Sequence, residues 1–215
     1  VVVNLPDPYY DDGQVTLYHG DALKLAELLE DLATVVVTDP PYGIDYRPAG
    51  FHRIAGDQST ELARWCIRWW HPRPLVMFGA NHYAPELPEA GTWSCWDKRV
   101  HPNADRMPGS PFEMVWQNGP DTPGRMYRIQ HGGAVNADGR KLARVHPTQK
   151  PLGLMRAVLL QLELGDDAVV LDPFAGSGST LRAAKDLGHR CIGIELEASY
   201  CAAAAERLGQ EVLPW

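Results

Sequence analysis

Cysteine is scarce in this chain and unpaired. Cys66, Cys95, Cys191 and Cys201 form no Cys-x-x-Cys pair. That argues against a zinc or disulfide framework, so no metal site is expected, and it fits buried free thiols in a reducing compartment. Long apolar runs are missing too. None approaches the roughly 20 residues of a membrane span, and no signal peptide is visible, so a cytoplasmic protein without a membrane partner is expected. Positive charge is in deficit. The 20 Lys/Arg against 27 Asp/Glu leave a formal net charge of −7, which weighs mildly against a nucleic-acid partner. There is no internal repeat, low-complexity tract or interdomain linker, and 215 residues suit one domain with one core.

What is present is organised. The composition, 45% hydrophobic and 22% charged, is that of a globular protein. The charge is uneven: Lys98 to Lys150 holds nine Lys/Arg and four Asp/Glu, a surplus of five positive charges on an acidic body. Such a segment marks either a local nucleic-acid surface or an ordinary solvated loop. Apolar patterning predicts strands over 15–18, 34–38, 75–78, 168–171 and 191–194. It predicts helices over 22–32, 60–70, 152–164, 179–187 and 199–208, with Thr60 as an N-cap and Pro151 at a helix start. A proline-interrupted helical piece is expected after Gly79, further strands over 92–96 and 113–116, and 118–145 reads as a loop-rich insertion. Alternating strands and helices imply an α/β fold with a doubly wound, mostly parallel sheet.

Asp39-Pro40-Pro41-Tyr42 follows the apolar run 34–38. Two prolines cannot extend a sheet, so the strand stops there. A carboxylate, a rigid elbow and an aromatic ring are thus presented at a strand's C-terminal end, where open α/β sheets bind ligands. This group suits a flat ring bearing an amine. The second feature is the strand-turn-helix over 169–180, with Asp172-Pro173-Phe174-Ala175-Gly176-Ser177-Gly178 at its centre. Glycines let a ligand approach the backbone, and a helix start offers free N–H donors. A P-loop would need a lysine before the Ser/Thr, and a dinucleotide turn a third glycine where Leu181 stands. The reading that remains is a cofactor without a pyrophosphate. Glu195, closing the next strand, can accept hydrogen bonds from ribose hydroxyls; alone, it would read as a surface acid.

With His146-Pro147-Thr148-Gln149-Lys150-Pro151, these motifs resemble the DNA amino-methyltransferases over nearly the whole chain. That family transfers methyl from S-adenosylmethionine to adenine N6 or cytosine N4. The Asp-Pro-Pro-Tyr element precedes the glycine turn, the circularly permuted order of the beta class. The resemblance implies a Rossmann-like methyltransferase fold in one domain, 1–215. It implies catalysis by Asp39, Pro40, Pro41 and Tyr42. Cofactor contacts would come from Asp21, Thr148, Lys150, Asp172, Phe174, Gly176, Gly178 and Glu195. Asp21 also reads as a helix cap and His146 as a structural imidazole. Arg47, His52 and Arg53, after Tyr42, are expected near phosphates or in a surface loop.

The resemblance implies that 118–145 is the target-recognition insertion, which makes Arg125, Arg128, Arg140, Lys141 and Arg144 candidate contacts to double-stranded DNA. Its shortness suggests a short site or a homodimer. Asp at position 39 points to adenine, with cytosine as the alternative and RNA a weaker option. No nuclease motif is evident, so any restriction endonuclease would be a separate protein. Two other readings are a non-catalytic DNA-binding relative and a methyltransferase acting on small molecules or proteins.

Overall fold

The computed structural model describes residues 5–47, 53–99, 110–118, 123–129 and 148–210. The strands are β1 (Tyr10–Asp11), β2 (Val15–His19), β3 (Val35–Thr38), β4 (Leu75–Phe78), β5 (Thr92–Asp97), β6 (Phe112–Gln117), β7 (Met126–Arg128), β8 (Val169–Asp172) and β9 (Arg190–Glu195). The helices are α1 (Ala22–Leu29), α2 (Glu61–Trp70), α3 (Leu152–Gln161), α4 (Ser179–Asp186) and α5 (Ala198–Leu208). The strands form one sheet in the order β1-β2-β9-β8-β3-β4-β6-β5-β7. β2, β9, β8, β3 and β4 run parallel, and β6 is antiparallel to both of its neighbours. The expected doubly wound, mostly parallel α/β sheet is thus present.

Both faces of the central strands are buried, so these strands read as unbroken apolar runs. Side chains still alternate. Val35, Val37, Val76 and Phe78 join the core under α3, α4 and α5. Val36, Leu75 and Met77 join the core under α1 and α2. Burying one such side chain fully contributes about 1.5–3 kcal/mol. β3 therefore leads to α2 on one face and its neighbour β8 to α4 on the other. Chains leaving adjacent strand ends in opposite directions open a crevice between them.

Several local expectations are corrected. Thr60 occupies the N-cap of α2 but makes no side-chain cap bond. The third helix stops at Gln161 rather than 164, and Glu163 takes a left-handed conformation just beyond it, φ +48. The segment after β4 forms two short 3-10 turns, Ala80–His82 and Ala84–Glu86. The insertion is not all loop: β7 lies in it and pairs parallel with β5, and its Tyr127 is buried. One buried residue held by long-range pairing is too short a signal for periodicity to register. All four cysteines are free, and three are buried.

Asp186, at the end of α4 and fully buried, accepts from Arg182 one turn back at 2.8 Å and from Arg156 of α3. This pairing of charges ties α3 to α4. Asp186→Ala removes the carboxylate shared by the Arg182 and Arg156 guanidinium groups. It is expected to destabilise the fold by about 3–5 kcal/mol, measured as a lowered denaturant midpoint.

Candidate active site

β3 ends at Thr38, and Asp39 stands on the rim of the crevice with its side chain 19% exposed. The Thr38 hydroxyl donates to Asp172 Oδ1 at 2.8 Å, which joins the end of β3 to the end of β8. Asp172 also accepts from the Phe174 N–H at 3.1 Å. It is 2% exposed, and burial pushes its carboxyl up to about 6. Asp172, expected to meet the cofactor, shapes the backbone that carries Phe174.

Asp39 lies in a cluster drawn from four segments of the chain. Its Oδ2 accepts from Lys150 Nζ at 2.7 Å, and its Oδ1 accepts from the Tyr42 hydroxyl. Lys150 Nζ is also 2.9 Å from the Tyr42 oxygen and 2.9 Å from Glu113 Oε1. Lys98 Nζ closes the chain on Glu113 Oε2 at 2.9 Å. Burial pushes the Asp39 carboxyl up; Lys150 opposes that, and the Glu113 charge adds to it. Burial also works against ionised Glu113, but Lys150 and Lys98 outweigh it and hold that carboxyl at about 2. Burial disfavours the Lys150 ammonium, yet Asp39 and Glu113 raise its pKa overall. Burial, then the nearby carboxylates, raise the Tyr42 phenol well above its ordinary value, so it keeps its proton.

Lys150, expected beside the cofactor, has its ammonium on Asp39, Glu113 and the Tyr42 hydroxyl, because the two carboxylates are the buried negative charges a buried cation needs. Of the positive charge over 98–150, Lys98 and Lys150 go to internal acids. The neighbouring Gln149 reaches the glycine turn, where its Oε1 accepts from the Ser177 hydroxyl at 3.3 Å.

The Tyr42 ring lies parallel to His82, centroids 5.1 Å apart at 12°. It fits because position 79 is glycine. Gly79 has φ +68, and a Cβ there would sit 2.1 Å from the ring. Beyond Tyr42, the buried Asp57 collects the chain: its carboxylate accepts from the N–H groups of Gly43 and Tyr46 at 2.8 and 2.7 Å.

On the other side of the crevice, Glu195 accepts from Gly176 N–H at 2.8 Å and from Glu197 N–H at 2.7 Å. Burial pushes its carboxyl up. Gly20 on the adjacent strand end donates to the Glu195 carbonyl at 2.9 Å, which brings Asp21 alongside. Asp21 caps α1 by accepting from Leu23 N–H at 3.0 Å. Phe174 meets the edge of Trp65 at 6.3 Å. Gly176 has φ +53. Gly178, expected to line the cofactor, has φ +75, and its missing Cβ would come 3.0 Å from Ala204 Cβ. Its bareness serves the approach of α5.

Arg47 and Arg53 are exposed and both pair with Asp45. Arg128 ends β7, beside the end of β5 and the start of β6, at the edge of the sheet that carries Asp39. Arg125 lies three residues earlier, about 10 Å back along the strand. Both are exposed. His52, Arg140, Lys141, Arg144, His146 and Pro147 lie outside the described residues; Thr148, described, is partly buried. Glu113, Lys98, Gly79 and Asp57 escaped the sequence reading. Only Glu113 carried a signal, an acid within the apolar strand 112–117.

Residues 94–206 match the family model described as DNA methylase, of the N6/N4 methyltransferases. The type II methyltransferase M2.DpnII of Streptococcus pneumoniae is 45% identical, covering 97% of this chain and 95% of that protein. The chain belongs to this family. It is a DNA methyltransferase. M2.LlaDCHI of Lactococcus lactis subsp. cremoris, another type II methyltransferase, is 25% identical over 97% of the chain and 94% of its own length. Two solved structures share the fold. An M1.HpyAVI–SAM complex aligns with TM-score 0.61 and 22% identity, covering 91% of this chain and all of that one. The cytosine-N4-specific PvuII DNA methyltransferase aligns with TM-score 0.64 and 17% identity, covering 96% and 90%.

In the methyltransferase, Gly79→Ala forces the Tyr42 ring from its seat. It is expected to lower the rate of methyl transfer to DNA at least about tenfold while the thermal midpoint moves by only a few degrees, measured with labelled cofactor and by calorimetry.

Proposed function

We propose that this methyltransferase transfers methyl from S-adenosylmethionine to the N6 amine of adenine in duplex DNA. The observation that carries the reading is the placement of Asp39 and Tyr42 on one lip of the crevice, with the glycine turn and Glu195 across from them. The donor set fits the cofactor. Glu195 accepts from backbone N–H groups through both oxygens, and the four lone-pair sites of a carboxylate leave room for a ribose hydroxyl. Glu195 and Asp21 together would repel a pyrophosphate, which matches the lysine-free turn. Phe174 and Trp65 offer aromatic edges nearby. S-adenosylmethionine supplies an activated methyl group on a positively charged sulfur.

The residues of the chain then have distinct tasks. An exocyclic amine is a poor nucleophile because its lone pair is delocalised into the ring. Hydrogen bonds from that amine to the Asp39 carboxylate and the Pro40 carbonyl favour a tetrahedral nitrogen and localise the pair. Asp39 also offsets the positive charge that develops on nitrogen. Tyr42 stacks on the base and Pro41 stiffens the elbow. Holding amine and methyl in line provides much of the acceleration. The base must leave the duplex to reach this lip, which costs a few kcal/mol. Arg47 and Arg53, together with Arg125, Arg128, Arg140, Lys141 and Arg144 of the recognition insertion, provide phosphate and base contacts. Asp rather than Ser at position 39 supports adenine over the cytosine alternative. The type II relatives support a modification role beside a separate endonuclease, and the short insertion supports a short site or a homodimer.

Asp39→Ala is expected to abolish transfer while leaving S-adenosylmethionine binding intact by calorimetric titration. Turnover at the wild-type rate would remove Asp39 from its role. Expressing the chain in a methylation-deficient host and sequencing the DNA for modified bases is expected to reveal N6-methyladenine at one short motif; N4-methylcytosine would establish the alternative.

A further inference from the structure

The Tyr42 hydroxyl carries one proton and faces two acceptors. It lies within hydrogen-bond distance of Asp39 Oδ1 and, at 2.9 Å, of Glu113 Oε1. Its oxygen already accepts from Lys150 Nζ at 2.9 Å, so the proton can serve only one carboxylate at a time. While it serves Asp39, both Asp39 oxygens are engaged, Oδ2 by Lys150 and Oδ1 by Tyr42. An amine arriving at Asp39 therefore has to share Oδ1 with the Tyr42 proton and meets only its second lone pair, on an oxygen whose charge is already partly drawn off.

We propose that Glu113 is a positioning residue for methyl transfer, taking over the hydrogen bond of the Tyr42 hydroxyl so that Asp39 Oδ1 is left to the target amine alone. The exchange breaks one hydrogen bond and forms another, and no covalent bond changes. Lys150 bridges both carboxylates throughout, 2.7 Å from Asp39 and 2.9 Å from Glu113, and keeps Asp39 Oδ2 in place. Lys98, on Glu113 Oε2, leaves Oε1 as the oxygen turned to Tyr42. Glu113 is buried and stays ionised, so the acceptor is present before DNA arrives. β6 supplies it because that strand runs antiparallel to β4 and starts where the parallel strands end.

The inference rests on Asp39 receiving the amine, and the test separates the two. On whichever DNA base the wild type modifies, Glu113→Gln is expected to lower kcat about tenfold, with KM for DNA and cofactor within about twofold. Tyr42→Phe removes the competing hydroxyl, so adding Glu113→Gln to it is expected to cost little more. Additive losses in that double-mutant cycle would overturn the proposal, as would wild-type kcat for Glu113→Gln. Should Tyr42→Phe alone be too slow to follow, Glu113→Asp decides. It keeps an ionised acceptor and is expected to recover most of the rate, and no recovery would overturn the proposal. Should Glu113→Gln fail to fold, the comparison of Glu113→Asp with the wild type is made in the same way. If instead Asp39→Ala retains activity, the underlying role of Asp39 is what has failed.

Discussion

The structure turns on the parallel pairing of β3 with β8. The two strands lie side by side, yet their chains depart to opposite faces, β3 toward α2 and β8 toward α4. Such a reversal leaves a crevice at the carboxyl ends that no helix can cover. The two motifs that matter most in the sequence hang on its two lips, and the bond from Thr38 to Asp172 holds those lips in register. Lengthening either strand by one residue would turn the motif side chains to the wrong face.

Charge is the second constraint. Asp39, Glu113, Lys150 and Lys98 form a buried or half-buried chain in which two acids meet two ammonium groups. None of these charges would be tolerated there alone. Collected together, they place a carboxylate at the crevice that is desolvated, oriented by a cation and next to an aromatic ring. Partial desolvation strengthens a charged acceptor, because less water competes for it. The glycine turn uses a related device, burying Glu195 against two backbone N–H groups so that its remaining lone pairs are aimed rather than solvated.

Much of the fold was legible in the sequence. The parallel strands, buried on both faces, read as continuous Val/Leu/Ile runs, and proline and glycine marked where they stopped. β7 was not legible, because its three residues become a strand only by pairing with β5. The site was legible where local chemistry is distinctive: Asp-Pro-Pro-Tyr can only be an elbow, and a glycine turn without lysine can only suit certain ligands. Roles were less legible. Asp172 and Gly178 sit within a ligand-binding motif, but one braces the turn and the other admits α5. Lys150 belongs to a motif read as lying near the cofactor, but its charge goes to Asp39.

The sequence by itself determined the element order, the permuted arrangement of motifs and the residue types at the crevice, because these follow from periodicity, backbone stereochemistry and motif chemistry acting over a few residues. Only the tertiary structure decided which charges meet. Asp39, Glu113 and Lys150 are far apart along the chain, and nothing local in any of the three segments specifies its partners. They converge because a parallel sheet sends β3 to the crevice while an antiparallel strand, β6, begins at the same edge. Buried charge then selects among the side chains delivered there, since an ammonium removed from water is stable only where carboxylates surround it.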